Sequence, residues 1–442
     1  MNETKKFWGS PMTWIPTLYF AQGIPYFIVN NISVMMFTKM GVPNGEMALF
    51  TSLLYLPWSL KPFWSPFVDI FKTKRWWTIS MQILMSLAFI LLTLTIPRPE
   101  PEMIASGQTP ISMFTITLLL FVITAFASAT HDIAADGFYM LALSSGDKAQ
   151  FVGIRSTFYR LASIFGQGVL VWLAGVIETN TGNIPNSWRI TMLVTAVIFS
   201  LVTLYHTFVV PRPTTDTSSL KGEKATVGAI FKEFGRTFKT YFMKPGVVLA
   251  IVFMLLYRLP EAFLLKLCMP FLVASREVGG LGMTTANVGL AYGTIGVIFL
   301  TVGGILGGIF ASRLGLKKSL WVMAACMTLP CLTFVYLSMF QPTNLVAIST
   351  AIAIEQFGYG FGFTAYMLYM MYFSEGEFKT SHYAICTAFM ALSMLLPGAV
   401  AGYIQEAIGY VNFFWMVMAC CIGTVLVSIM AYRKIDPNYG KK

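Results

Sequence analysis

The chain has 442 residues, of which 56% are hydrophobic and only 11% charged, and its formal net charge is +11. Soluble globular chains carry roughly 25% charged residues, so an ordinary soluble domain is excluded; the apolar residues instead come in blocks long enough to cross ~30 Å of hydrocarbon as helix. The positive charge does not mark a nucleic-acid binder, because it falls mostly in alternate loops between those blocks, which is the topology bias of a membrane protein.

In chain order the apolar blocks predict helices at 13–37, 47–69, 76–96, 111–141, 152–176 and 189–210. After a polar gap come 247–273, 285–311, 319–340, 345–373, 381–405 and 411–432. The reading is an all-α membrane protein of twelve transmembrane helices in two six-helix halves: a first bundle over 1–210, a linker over 211–246 and a second bundle over 247–442. Twelve crossings put both termini on one side. The segments on that side hold 21 Lys and Arg against 4 on the other, which places the termini in the cytoplasm. The first block follows a polar start with Lys5 and Lys6 and is too long for the core of a signal peptide, so it is expected to remain as helix one. The linker opens as loop at Pro211-Arg212-Pro213. It then places Val227, Ile230, Phe231, Phe234, Phe238 and Tyr241 at helical spacing, with Lys232, Glu233, Arg236 and Lys239 between them. That pattern predicts an amphipathic helix lying on the inner membrane surface or resting on the bundle.

An ionised side chain at mid-bilayer costs about 2.5–3.5 kcal/mol even on the mildest scale, so charges inside the spans are candidates for function. Helix one offers Gln22, Tyr26 and Asn30 beside a Gly23/Pro25 break, a composition suited to a cavity wall. Helix two holds Lys61 and, eight residues on, Asp69, both assigned to an inner gate. Helix four carries Asp132 and Asp136, which four-residue spacing puts on one face; Asp132 lies roughly 14 Å from the inner end. Helix five brings Arg155, Tyr159 and Arg160. Arg160 is roughly 12 Å deep, level with Asp132, whereas Arg155 is one turn in and within snorkelling reach of the interface. A carboxylate pair facing an Arg across two helices suits proton coupling, because protonating one Asp breaks an ion pair and frees a gate. The alternative is a permanent bridge between helices four and five.

Helix seven carries Tyr257-Arg258-Leu-Pro260-Glu261 and then Lys266. Pro260 interrupts the helix and frees a backbone carbonyl for a ligand. Arg258 is placed to grip an anionic or polar cargo through its planar fork, the alternative being a local pair with Glu261. Lys266, near the outer end, is expected to snorkel. Helix ten has Glu355-Gln356 followed by Gly358, Gly360 and Gly362. Glu355 reads as a second proton carrier or as a neutral, hydrogen-bonded acid. The six cysteines, at 268, 326, 331, 386, 420 and 421, match no metal-site spacing and read as small buried hydrophobes. His131 adjoins the Asp pair and either titrates or keeps a fixed core partner, while His206 and His382 near helix ends are given no role. No phosphate-binding loop for ATP-driven pumping is present in the sequence, and three scattered His do not make a catalytic cluster.

Two segments repeat at matching places in the halves. Gly308-Ile-Phe-Ala-Ser-Arg313-Leu-Gly315-Leu-Lys-Lys318 follows helix eight, and Ser65-Pro-Phe-Val-Asp69-Ile-Phe-Lys72-Thr-Lys-Arg75 follows helix two. Both resemble the loop signature of the major facilitator superfamily. Leu56-Pro-Trp-Ser-Leu-Lys61-Pro-Phe-Trp-Ser-Pro66-Phe-Val-Asp69, Thr130-His-Asp132-Ile-Ala-Ala-Asp136, Tyr159-Arg160, Tyr257-Arg258-Leu-Pro-Glu261 and the Glu355 and Tyr383 regions are similar to one branch of it, the muropeptide permease (AmpG) group with its acetyl-coenzyme A transporter relatives. Departures are His131 for the usual Gln, Met140 near a usual Arg, Pro260 for Gly, and twelve spans without the two extra ones of some members.

The resemblance implies a secondary transporter with its cargo site at mid-membrane between the halves, importing an amino-sugar-containing peptidoglycan fragment with protons across a bacterial inner membrane. Another oligosaccharide, a peptide or a coenzyme A thioester remains open as cargo, and a membrane-embedded enzyme or sensor is the alternative outside transport. Expected partners are a small-molecule cargo, protons and lipid, with no nucleic acid, cofactor or metal, and the chain is expected to act as a monomer. The proton-coupling set is Asp132, Asp136, Glu355 and Glu261. The cargo set is Arg258, Arg160, Tyr159, Gln22, Tyr26, Asn30, Tyr257 and Gln356, and the gating set is Lys61, Asp69, Arg155 and Arg313.

Overall fold

A computed structural model describes residues 10–143, 145–214, 216, 227–376 and 379–440. Lys5, Lys6 and the side chains of Asp69, Lys148, Val227, Ile230, Phe231, Glu233 and Lys379 lie outside the described residues. Twelve long helices follow in order: α1 (11–39), α2 (44–70), α3 (Lys74–Thr95), α4 (Ile111–Ala142), α5 (145–181) and α6 (Ile184–Val209), then α7 (Val247–Val273), α8 (285–314), α9 (316–340), α10 (Leu345–Ser374), α11 (379–408) and α12 (410–434). A short helix, Pro101–Ser106, sits in the α3–α4 connection, and the linker helix spans Val227–Phe242. The helices make two six-helix bundles, α1–α6 and α7–α12.

Among the described residues, seven continuous helical stretches have the length and hydropathy of a membrane span, two of them being the joined pairs α8–α9 and α11–α12. The helices outside that count are α1, α2 and α10. Polar residues and glycines dilute α1 and α10, and α2 is interrupted at 54–55. These three carry many of the polar residues described below. The weakest membrane signals therefore belong to helices whose inner faces need to be polar.

The turns repeat between the halves. In the second copy of the loop motif, Gly315 turns the chain from α8 into α9 with φ +78°, a conformation that suits glycine. The matching residue of the first copy is Lys72, and it adopts φ +64° although it has a Cβ. The backbone shape is thus kept where the glycine is not. Gly182 after α5 and Gly409 after α11 form a second matching pair, with φ +63° and +76°.

The basic end of the first motif also has a structural use. Arg75 donates to Thr207 O (2.7 Å) and Val210 O (3.0 Å), closing the C-terminus of α6, while the Asp216 carboxylate accepts from the Lys74 and Arg75 amides at the start of α3.

The two bundles meet most closely at the end opposite the termini. There α5 and α8 approach so closely that Gly293 has no room for a Cβ against Gln167 O, and Gly402 of α11 has none against Asn44 O of α2. Asn44 donates to Gln405 Oε1 (2.7 Å) and Tyr410 Oη (3.0 Å), and the Gly45 amide donates to Glu406 Oε1 (2.7 Å). Glu178 pairs with Lys39 (2.7 Å) and accepts from Thr285 of the other bundle (2.8 Å). Toward the termini, contacts between α5 and α8 thin out, and Leu60, Phe63 and Phe67 of α2 are exposed. Contact between the bundles is thus tightest at the end away from the termini.

The linker helix rests on the bundles, one of the two placements the sequence left open. Tyr241 is buried against Phe373, His382 and Phe389, and Phe238 lies 5.5 Å from Phe63 of the first bundle.

Candidate functional site

In the first bundle α1, α2, α4 and α5 bring their charges together. Lys61 Nζ donates to Asp132 Oδ2 at 2.6 Å, and Gln22 Nε2 donates to the other oxygen, Asp132 Oδ1. One turn on, Asp136 Oδ1 meets Arg155 Nη2 at 2.8 Å and accepts from Tyr19 Oη at 3.0 Å. The Arg155 guanidinium stacks 4.4 Å from the Tyr19 ring. Asp132 and Asp136 do share a face, and each holds a cation from another helix.

The Arg facing this pair is Arg155, not Arg160. Arg160 Nη1 instead reaches Thr301 of α8 at 3.3 Å, across the boundary between the bundles. Depth alone had matched Arg160 to Asp132. Five residues rotate a helix by about 500°, however, so Arg155 and Arg160 point about 140° apart and cannot serve one neighbour. Arg155 pairs with Asp136 while staying partly exposed, and Lys61, assigned to the gate, is the direct partner of Asp132.

In the second bundle the charges pair locally. Arg258 Nε and Nη2 donate to the two oxygens of Glu261 at 2.8 and 2.7 Å, a bidentate bond between residues three apart, and Nη2 also donates to Tyr359 Oη at 3.1 Å. The fork is thus largely occupied, the alternative the sequence left open. Tyr257, assigned to the cargo, turns instead into the bundle core. It is fully buried between Phe253 and Tyr366, with its hydroxyl donated to Gly362 O.

Pro260 starts the second segment of α7, as a proline at a helix start should. The Tyr257 carbonyl at the break accepts from Thr424 Oγ1 (3.0 Å) rather than waiting for a ligand. Glu355 is buried and accepts from Gln356 Nε2 at 2.8 Å.

Tyr26 stands between the two groups, within electrostatic reach of Asp132 on one side and of Arg258 and Glu261 on the other. Trp58 (5.2 Å), Tyr55 (6.5 Å) and Tyr159 (6.3 Å) surround its ring. Asn30 sits in a π-helical turn of α1, Ile28–Ile32, donating to Tyr26 O (3.0 Å) and leaving its buried Oδ1 without a partner. Arg313 is exposed and has no ion pair or hydrogen bond with a described residue, so it joins none of this; the Asp69 side chain lies outside the described residues.

Sequence reasoning misplaced Lys266 and did not read the partners of two histidines near helix ends. Lys266 does not snorkel: it is buried, and its Nζ donates to Thr51 Oγ1 at 2.8 Å. His206 is fully buried and links Gln82 (3.0 Å) to Thr17 (2.9 Å), with Gln82 also 2.9 Å from the buried His131. His382 is buried and meets Thr240 Oγ1 at 3.1 Å. The polar seal of Asn44, Glu178, Gln405 and Glu406 was missed altogether, because its only sequence signal was polar residues near helix ends. A separate apolar groove of about 630 Å³ opens between α8, α9 and α10, lined by residues such as Phe299, Phe357 and Ile354; it lies on the hydrocarbon-facing side, away from all these charges. Among the described residues no His, Cys, Asp and Glu cluster could hold a metal, and the six cysteines are unpaired.

The sequence model of the Major Facilitator Superfamily matches residues 17–396. The chain belongs to that superfamily. Within it, the chain is 25% identical to AmpG 4 of Rickettsia conorii over 99% of its own length and all of the relative. It is 24% identical to the anhydromuropeptide permease of Escherichia coli, covering 96% of this chain and 81% of that one. Solved structures of the superfamily share the fold at low identity. A D-xylose–proton symporter aligns with TM-score 0.69 at 12% identity over 98% of this chain and 99% of that one. A bacterial homologue of the lysosomal transporter Spinster, inward-facing and unoccupied, aligns with TM-score 0.67 at 13% identity over 98% and 97%. The chain is an integral membrane transporter.

Proposed function

We propose that this transporter is a proton-coupled symporter that imports an amino-sugar-containing peptidoglycan fragment across a bacterial inner membrane, with both termini in the cytoplasm. The observation that carries the coupling is the Lys61–Asp132–Gln22 junction, which ties three helices through one carboxylate. Protonating Asp132 discharges the group that holds Lys61, so α2 is released from α4 on the side of the seal that carries the termini. Asp136 and Arg155 repeat the arrangement one turn away. With the termini inside, the sealed end faces outward, so the structure is closed to the side from which cargo arrives.

The cargo reading rests on the relatives' names together with the aromatic group at Tyr26, Tyr55, Trp58 and Tyr159. These flat faces suit a sugar ring, and the neighbouring Gln22 and Asn30 offer hydrogen bonds. Another oligosaccharide, a peptide or a coenzyme A thioester is the runner-up cargo.

Uptake of a radiolabelled anhydromuropeptide into right-side-out vesicles tests both parts. Uptake should collapse with a protonophore and with Asp132→Asn. Uptake indifferent to both removes the coupling, and no uptake above empty vesicles removes the cargo.

A further inference from the structure

Three of the cations among the helices have a carboxylate: Lys61 has Asp132, Arg155 has Asp136 and Arg258 has Glu261. Lys266 has none. Its ammonium donates to Thr51 Oγ1 at 2.8 Å and lies 5.9 Å from the Tyr55 ring, and no carboxylate among the described residues pairs with it. An ammonium held out of water on neutral partners alone is costly, and α7 could have carried an apolar residue here at no loss of packing.

The surroundings are also short of partners. Lys266 lines a cavity of about 40 Å³ with Asn30, Asn31, Tyr55 and Tyr292, and the Asn30 Oδ1 is buried there without a hydrogen bond. The Ser52 hydroxyl, next to Thr51, is also buried and unsatisfied; a Cβ on Gly398 would touch both Ser52 Oγ and Lys266 Cε. These residues come from α1 and α2 of one bundle and from α7, α8 and α11 of the other. The pocket is therefore split between the bundles on the sealed side of the Arg258–Glu261 pair, and parting of the seal would open it to the outside.

We propose that Lys266, with the unsatisfied Ser52 hydroxyl, is an anion subsite that receives a carboxylate of the cargo as the sealed end opens, while Asn30 Oδ1 beside it accepts an N–H or O–H of the same cargo. When the end closes without cargo, the ammonium falls back on Thr51, the arrangement seen here. The side chains then act in sequence along α7: Lys266 captures the carboxylate first, and Arg258 and the Tyr26 group lie further in. This deepens the muropeptide reading, since it requires a cargo with a free carboxylate.

The test is thermal stabilisation and equilibrium binding of the purified full chain with an anhydromuropeptide and with the same molecule carrying amides in place of its peptide carboxylates. The wild type should bind the carboxylate form at least tenfold tighter, Lys266→Gln should bind the two forms equally, and Lys266→Arg should keep most of the preference. The same preference in Lys266→Gln as in the wild type overturns the subsite. Lys266→Gln removes an uncompensated charge, so it should fold at least as well as the parent. If the wild type binds neither muropeptide, the cargo reading fails, and acetate and succinate then decide the subsite alone: stabilisation that Lys266→Gln abolishes supports it, and none in the wild type overturns it.

Discussion

The two bundles use buried charge in opposite ways. In the first, each ion pair joins different helices, and the side chains keep some exposure: 23% and 20% for Lys61 and Asp132, 32% and 40% for Arg155 and Asp136. In the second, Arg258 and Glu261 sit three residues apart on one helix and are only 6% and 2% exposed. Breaking a pair of the first kind changes which helices are tied together. Breaking one of the second kind leaves the helices where they are and strands a charge in a dry core. A switch belongs in the first bundle and a fixed anchor in the second.

The largest effect on stability should come from the dry pair. Arg258→Leu strands Glu261 and should cost about 3–5 kcal/mol, most of it recovered when Glu261→Leu is added. Unfolding of the two variants in mixed micelles measures this, and a loss that persists in the double variant would mean the pair itself, not the stranded charge, was being measured. Lys61→Leu should cost less, about 1–2 kcal/mol, because partial exposure lets water attend Asp132. Equal losses at Lys61 and Arg258 would erase the contrast between the bundles.

Exchanging the partners, Lys61→Asp with Asp132→Lys, sharpens it further. A permanent bridge is restored by the exchange, whereas a switch regains stability but not protonophore-sensitive uptake. The smallest effect separates the matching turns. Lys72→Gly should stabilise by about 0.5–1 kcal/mol by relieving the left-handed conformation, and Gly315→Ala should cost about 1 kcal/mol at the same place in the other half.

Much of this was legible in the sequence. Hydrophobic length placed all twelve helices, with ends moving by a few residues, and the degenerate loop motif found the turns at Lys72 and Gly315. Helical spacing put Asp132 and Asp136 together. Depth counting failed for Arg160 and Lys266 for one reason: distance along a helix says how far from water a residue lies but not which neighbour it faces. Arg160 turned toward α8, and Lys266 turned into the boundary between the bundles. His206, near the end of α6, likewise takes its partners, Gln82 and Thr17, from other helices. Pair partners four or fewer residues apart can be read from spacing; partners supplied by another helix need the packing angle.

Asp132 decides the account. In liposomes with an acid exterior, the wild type should accumulate labelled anhydromuropeptide above its outside concentration and also exchange it in counterflow. Asp132→Asn should keep counterflow, because the carrier still reorients with cargo, and lose accumulation. An Asp132→Asn protein that accumulates cargo as the wild type does, driven by the same pH gradient, contradicts the claim that this carboxylate couples proton to cargo.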